Sequence, residues 1–311
     1  MSVYTSVARD TLESFLTHYD IGELVDFHGI SAGIENTNYF IDTTSGRYVL
    51  TLFESLGFDE LPYFLNLMAF LAEHNVPSAH PVADKQGQYL RTLHNKPTSI
   101  VQCLEGSDTD IADRDHATVL GDALAHLHLA GQQYDQHRAN GRGPHWWRET
   151  INKLEGHIPE QDQKLLCEEI EFQMSFSHAN LPRGVTHADL FKDNVLWNGN
   201  KLTGFIDFYY ACDDVLLYDI AVTVNAWFSR PDSSLDSDLC NSFLEYYEKH
   251  RPLNDEEKKA WPVMLRAAAL RFWLSRLNDK YFPKPGEITH IKNPDEFRAI
   301  LIDRIKNHDH Y

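Results

Sequence analysis

The apolar residues of this chain change their spacing at Cys103. Before it they fall in short β-branched and aromatic runs bounded by turn residues, and beyond it they recur at every third or fourth position. Such a chain is expected to fold as α+β, with a small β-rich lobe followed by a larger, mainly helical one. Leu24–Ile30, Tyr39–Asp42, Tyr48–Phe53, Tyr89–Leu93 and Ser99–Cys103 read as strands, around one helix from Glu60 to His74. Glu105-Gly106-Ser107-Asp108 reads as a linker. Helices are expected on the apolar face Val119, Leu120, Ala123, Leu124 and Leu127, with Gly131 as C-cap, and then near Glu160–His178, Val215–Phe228, Leu235–His250 and Asp255–Asn278. A last helix starts at Asn293-Pro294-Asp295-Glu296, an N-cap followed by Pro and two acids. The division is therefore 1–103, a linker at 104–108, and 109–311.

Composition narrows the function. Apolar residues make up 42% of the 311, which excludes a disordered or fibrous chain. Lys and Arg number 28 against 46 Asp and Glu, a formal charge of −18. That field repels phosphate backbones and anionic lipid, so neither a nucleic-acid nor a membrane partner is expected. Cys103, Cys167, Cys212 and Cys240 form no C-x-x-C pair, which fits reduced thiols and a cytoplasmic setting rather than a disulfide framework or zinc site. Residues 1–20 carry no apolar export signal, and Val215–Phe228 is too short and too interrupted to span a bilayer. Oligomeric state leaves no trace.

One β-hairpin interrupts the helical region: Val195-Leu196-Trp197, the turn Asn198-Gly199-Asn200, and Leu202–Ile206. It follows His187-Ala188-Asp189-Leu190-Phe191-Lys192-Asp193-Asn194 and leads into Asp207, giving H-x-D-L-x-x-x-N, a rigid hairpin, and a second Asp. The pattern is that of a kinase catalytic loop. Phosphoryl transfer needs an acceptor that orients the attacking hydroxyl and takes its proton, which suits Asp189. It also needs hard oxygen ligands for Mg²⁺, which suits Asn194 and Asp207. His187 reads as a brace for the loop. H-E-x-x-H does not occur, so a zinc hydrolase has no support.

These residues resemble the aminoglycoside-phosphotransferase and choline-kinase-like enzymes, which share the protein-kinase fold. Leu124-Ala125-His126-Leu127-His128 is similar to their L-A-x-L-H helix, and Leu217-Tyr218-Asp219-Ile220-Ala221 to their Y-D-L-A segment. Within that group the likeness is to the homoserine-kinase subfamily. It rests on Gly33-Ile34-Glu35-Asn36-Thr37-Asn38-Tyr39-Phe40, Tyr48–Glu54, the catalytic loop, Gly204–Tyr209 and Arg271-Phe272-Trp273-Leu274-Ser275-Arg276-Leu277.

The resemblance implies an ATP- and Mg²⁺-dependent kinase whose small-molecule substrate is L-homoserine. Gly33, Asn36, Thr37 and Asn38 would cover the nucleotide phosphates, Gln102 and Leu104 would meet adenine at the hinge, and Asp219 would brace the catalytic loop. The third-strand lysine of kinases is replaced by Thr51, leaving Lys85, Lys96, Arg47 or the metal to balance phosphate charge. An amino-acid substrate calls for a cation opposite its carboxylate, for which Arg271 and then Arg276 are candidates; Arg266 lies on the same helix, and for each the alternative is an internal salt bridge. Asn225, Tyr210 and Trp227 are candidate wall residues. Trp146-Trp147 reads as packing between lobe segments. Two other readings stay open. One is a kinase for choline, ethanolamine, methylthioribose or an aminoglycoside; the other is a nucleotide-binding regulator without catalysis.

Overall fold

Strand alternation builds the first layer. In the computed structural model, which describes residues 5–30, 36–283 and 292–310, β2 (Thr37–Thr43) buries Thr37, Tyr39, Ile41 and Thr43 and leaves the intervening side chains partly exposed. It is flanked by β1 (Leu24–Gly29) and β3 (Gly46–Leu52), and β4 (Arg91–Leu93) and β5 (Lys96–Gln102) complete a five-stranded sheet in the order β1-β2-β3-β5-β4. Every pairing is antiparallel. Tyr39, Ile41, Leu50, Leu52 and Ile100 pack on Leu12, Phe15 and Leu16 of a helix absent from the sequence expectation, α1 (Arg9–Leu16). The expected helix is α2 (Leu61–Glu73), started by Pro62 and buried along Leu61, Phe64, Leu65, Met68 and Leu71. These elements belong to a compact unit ending at Glu105, and a second unit begins at Gly106.

The second unit is helical apart from two short ladders. Its elements are α3 (Arg114–Gly131), α4 (Pro144–Leu154), α5 (Glu160–Ser175), β6 (Arg183–Thr186), β7 (Val195–Asn198), β8 (Lys201–Phe205), β9 (Cys212–Val215), α6 (Leu216–Phe228), α7 (Ser237–Glu248), α8 (Asp255–Tyr281) and α9 (Pro294–Lys306). The hairpin is β7–β8, and the second ladder pairs β6 with β9. Asn254 and Glu257 start α8 with a reciprocal capping box, and Asn293 caps α9. Gly131 is not a C-cap: it ends α3 against β6, where a Cβ would stand 2.8 Å from Val185 Cβ. Trp147 is buried on α4, a helix of the second unit that packs on α5 and α8. All four cysteines are free, and burial pushes the Cys212 and Cys240 thiols up to about 12. Among the described residues no helix is long and apolar enough to cross a membrane.

A buried carboxylate joins these helices to the loop after β6. Asp219, in the first turn of α6 and fully buried, accepts hydrogen bonds from the backbone N–H groups of His187 and Ala188, each at 2.7 Å. Its third partner is His128 Nε2 at 3.1 Å, and His128 Nδ1 meets the Tyr247 hydroxyl of α7 at 2.6 Å. The chain of bonds is consistent with a neutral imidazole: Tyr247 donates to Nδ1, and Nε2–H donates to Asp219. Burial opposes ionisation of Asp219, but the hydrogen bond from His128, the neighbouring imidazoles and the His187 N–H outweigh it and hold its carboxyl below the usual range. Burial likewise depresses His128 and His187, against the pull of Asp219.

Acid should therefore destabilise this unit in two stages. Below the ordinary histidine value of 6.5 the unfolded chain binds protons that folded His128 and His187 refuse, so stability falls with pH. The loss is at most about 1.4 kcal/mol per imidazole between pH 7.5 and 5.5. Depressed Asp219 adds a further loss below 3.8. Urea unfolding across this range should show a shallower dependence for His128→Gln. An identical slope in both proteins would disprove the assignment.

Candidate active site

The loop that follows β6 owes its shape to Asp219. Ala188 sits in the left-handed region at φ 61°, a conformation rare for a residue with a side chain, and its N–H is held by the Asp219 carboxylate. The next residue, Asp189, is partly exposed, with 20% of its side chain accessible. Asn194 Nδ2 donates to the Asp189 backbone oxygen at 2.7 Å and to its Oδ2 at 3.2 Å. Both partners are acceptors, so they define which end of the Asn194 amide is nitrogen and turn Oδ1 away from them.

The hairpin then returns the chain to the same place. Ile206 N–H donates to the Asn194 carbonyl at 3.0 Å, extending the pairing of Val195 with Phe205. The Ile206 carbonyl accepts from His187 Nε2 at 2.9 Å, which requires the proton on Nε2. His187 is fully buried and its ring lies 4.7 Å from that of Phe208. Ile206 is thus fastened on both sides, and Asp207 follows it, exposed and left-handed at φ 63°. Asn194 bonds Asp189 directly, and Asp207 is brought to the same place as the residue after Ile206, which is tied to the Asn194 carbonyl and to the His187 ring. The Asp207 carboxylate and the Asn194 amide oxygen are hard donors of the kind that suit Mg²⁺.

Basic and aromatic groups stand beside this set. Arg271 of α8, 3% exposed, points Nη1 at Asp189 Oδ1 at 3.3 Å. Its guanidinium lies over the rings of Phe272, at 3.7 Å, and Tyr210, at 5.1 Å. The Tyr210 ring has a second guanidinium 5.6 Å away, that of Arg142, which also stacks on Trp146 at 4.6 Å. Among the described residues Arg142 has no acidic partner. Sequence reasoning missed it because nothing in Asn140-Gly141-Arg142-Gly143 marks the arginine as anything but a loop residue.

The other candidates are engaged in packing. Arg276 bonds Glu296 at 2.6 Å and the Asn293 carbonyl at 2.8 Å, linking α8 to α9. Arg266 pairs with buried Glu169 of α5. Asn225 is 1% exposed, donates to the Leu265 carbonyl and accepts from Arg304. Trp227 donates Nε1–H to the Leu190 carbonyl at 3.1 Å, supporting the catalytic-loop backbone from beneath.

In the first unit Gly33 lies outside the described residues. Thr51 donates to Asn38 Oδ1 at 2.8 Å across the β2–β3 pair. Thr37 donates to Glu54 at 2.7 Å, and Asn36 Oδ1 accepts from the Glu54 N–H. Glu54 also binds Lys96, which shares the sheet face of Leu52 and Ile100, opposite to Thr51. Arg47 shares the Thr51 face but stands four residues away, about 13 Å along the strand, and is held by both oxygens of Asp42. Lys85 pairs with Asp20 and the Thr17 carbonyl. No one of these three cations stands beside Thr51. Gln102 ends β5, exposed, with its N–H on the His80 carbonyl, and Leu104 follows, partly buried.

Residues 26–253 match the family model described as the phosphotransferase enzyme family. The chain is similar to a homoserine kinase of Methylobacillus flagellatus, 49% identical over 97% of this chain and 94% of that protein. It is also similar to one of Neisseria meningitidis serogroup B, 46% identical over 97% and 99%. Among solved structures an amicoumacin kinase in complex with AMP-PNP and Ca²⁺ superposes with a TM-score of 0.73 at 16% identity, covering 98% of this chain and 94% of its own, which shows the shared fold. The sheet-bearing first unit and mainly helical second unit agree with the protein-kinase-like α+β class expected above. With the family model covering most of its length and relatives this close spanning nearly all of it, the chain belongs to the homoserine kinases of the phosphotransferase enzyme family.

Proposed function

We propose that this protein transfers the γ-phosphoryl group of ATP to the side-chain hydroxyl of L-homoserine, giving O-phospho-L-homoserine and ADP, a step of threonine biosynthesis in the cytoplasm. The observation that carries the reading is the convergence of Asp189, Asn194 and Asp207 in a chain related to homoserine kinases over nearly its full length. Asp189 orients the substrate hydroxyl and accepts its proton as the O–P bond forms. Asn194 Oδ1 and the Asp207 carboxylate would hold Mg²⁺, which when bound offsets the charge of the nucleotide phosphates. His187 keeps Asp207 in register with Asn194, and Asp219 keeps Asp189 in place. The first unit carries the nucleotide: Gly33, Asn36, Thr37, Asn38 and Thr51 toward the phosphates, Gln102 and Leu104 toward adenine, with 104–108 as the linker to the second unit.

For the substrate carboxylate we propose Arg142. It is stacked and therefore preorganised, yet its donors face no acid among the described residues. Arg271 serves Asp189 instead, its Nη1 standing 3.3 Å from Asp189 Oδ1 and fixing where that carboxylate points. Tyr210, between the two guanidiniums, forms the wall they share. An aromatic cage for a quaternary ammonium, as choline would need, is a poor match for a wall flanked by two cations.

ADP release measured over a panel of homoserine, choline, ethanolamine and methylthioribose tests the assignment, and kcat/KM should be highest for homoserine by at least about tenfold. Comparable turnover of a carboxylate-free alcohol would refute it. With homoserine, Asp189→Asn should lower kcat by about 10²–10⁴-fold with little change in nucleotide affinity; activity within a few-fold of the parent removes Asp189 from the mechanism.

Asp207→Ala should abolish turnover and weaken Mg·ATP binding far more than binding of metal-free ATP, with Asn194→Ala milder because a neutral oxygen donates less charge. Equal loss of both nucleotide forms would count against the metal assignment.

The two arginines should separate kinetically. Arg142→Ala should raise KM for homoserine about ten- to a hundred-fold, a loss of roughly 1.5–3 kcal/mol, and leave KM for ATP unchanged. Arg271→Lys should act mainly on kcat. The reverse pattern would exchange their roles.

A further inference from the structure

Outside the site just described, two imidazoles and a carboxylate meet on the surface of the second unit. Asp122 and His126 stand one turn apart on α3, and His250 lies just past the C-terminal end of α7. Asp122 Oδ1 is 2.7 Å from His250 Nε2, and Asp122 Oδ2 is 3.5 Å from His126 Nδ1. The two imidazole rings lie 4.2 Å apart between centroids, tilted by 50°. One potential ligand atom from each residue falls within 4.8 Å of the others. We propose that Asp122, His126 and His250 form a binding site for a divalent transition-metal ion of the Zn²⁺ type, with solvent completing the coordination.

The donor set decides the class of ion. Two imidazole nitrogens and one carboxylate oxygen suit Zn²⁺ and its neighbours, whereas Mg²⁺ prefers oxygen alone, so this site is chemically distinct from Asn194 and Asp207. Bonds of 2.0–2.2 Å in a tetrahedron place ligand atoms about 3.4 Å apart. The three side chains are about one-third to one-half exposed, which leaves them room to rotate toward a bound ion. In the protein alone His250 Nε2 meets Asp122 Oδ1 at 2.7 Å and His126 Nδ1 meets the Asp122 backbone carbonyl at 2.8 Å, so each imidazole has a polar partner. A dication would engage both neutral imidazoles and the carboxylate together in place of these contacts. The carbonyl end of α7 and a net charge of −18 add to the attraction for a cation.

The frame of the site is rigid. Gly121, next to Asp122, lets α3 approach α7 so closely that a Cβ there would stand 2.2 Å from the Phe243 carbonyl oxygen. A bound ion would fasten α3 to the end of α7 three residues beyond Tyr247, whose hydroxyl meets His128 and through it Asp219. Metal binding therefore reinforces the helix pair on which the catalytic loop rests, and its expected sign is stabilising.

The full-length protein, stripped with EDTA and returned to buffer with excess Mg²⁺, tests this by titration calorimetry with ZnCl₂ and NiCl₂ and by thermal melts. One equivalent of Zn²⁺ should bind with a dissociation constant on the order of micromolar and raise the melting temperature. His126→Gln and His250→Gln, each alone, should weaken binding by at least about tenfold and remove the Zn²⁺-dependent rise in melting temperature. Asp122→Asn, similar in shape, should weaken it as well. Binding of equal strength in the parent and both histidine variants would place the ion elsewhere and overturn the proposal, as would the absence of any saturable heat up to millimolar Zn²⁺.

Discussion

A single buried carboxylate carries the architecture of the second unit. Asp219 takes two backbone N–H groups from the loop that presents Asp189 and one imidazole N–H from α3. Without it those donors would be buried and unmet, each costing about 1–3 kcal/mol, and left-handed Ala188 would lose the bond that holds it. The same group joins α6 to α3 and, through His128, to Tyr247 of α7. The loop geometry is thus a consequence of helix packing.

A second tie completes the arrangement. Ile206 gives its N–H to Asn194 and its carbonyl to His187, so residues before and after the hairpin share one short piece of backbone. Asp189, Asn194 and Asp207 then have little freedom relative to one another, the preorganisation that the base and metal-ligand roles proposed for them would require. Positive charge is distributed sparingly. Arg266 and Arg276 are matched by Glu169 and Glu296, and Arg271 by Asp189 itself, while Arg142 is stacked on aromatic rings and has no acidic partner among the described residues.

Much of the fold was legible before any coordinates. The expected strands and long helices are present within a few residues, and the capped starts of α8 and α9 and the β7–β8 hairpin carry local chemistry strong enough to be read directly. The omissions have local causes. α1 is eight residues long and helical chiefly because Leu12, Phe15 and Leu16 cover the sheet. β6 and β9, four residues each, are set by their pairing with one another, which spans most of the segment carrying Asp189, Asn194 and Asp207. Gly131 carries a helix-stop signature, but close approach of α3 to Val185 is what requires it.

The proposed catalytic residues Asp189, Asn194 and Asp207 lie in one continuous stretch whose spacing is set by a tight hairpin, so the candidate site could be named from the sequence. The sequence by itself therefore determined the α+β architecture, the homoserine-kinase resemblance and the position of the H-x-D-L-x-x-x-N loop in the chain, all of which are written in local spacing, whereas the shape of that loop rests on distant Asp219. Only the tertiary structure decided what each isolated polar residue does. Arg271 faces Asp189, Arg276 closes on α9, Asn225 is absorbed into helix packing, Lys96 lies on the far face of the sheet from Thr51, and His128 and Tyr247 join the support of the loop. Those assignments depend on partners tens of residues away, and nothing in local spacing specifies which distant carboxylate, ring or carbonyl a buried polar group will meet once the chain has folded.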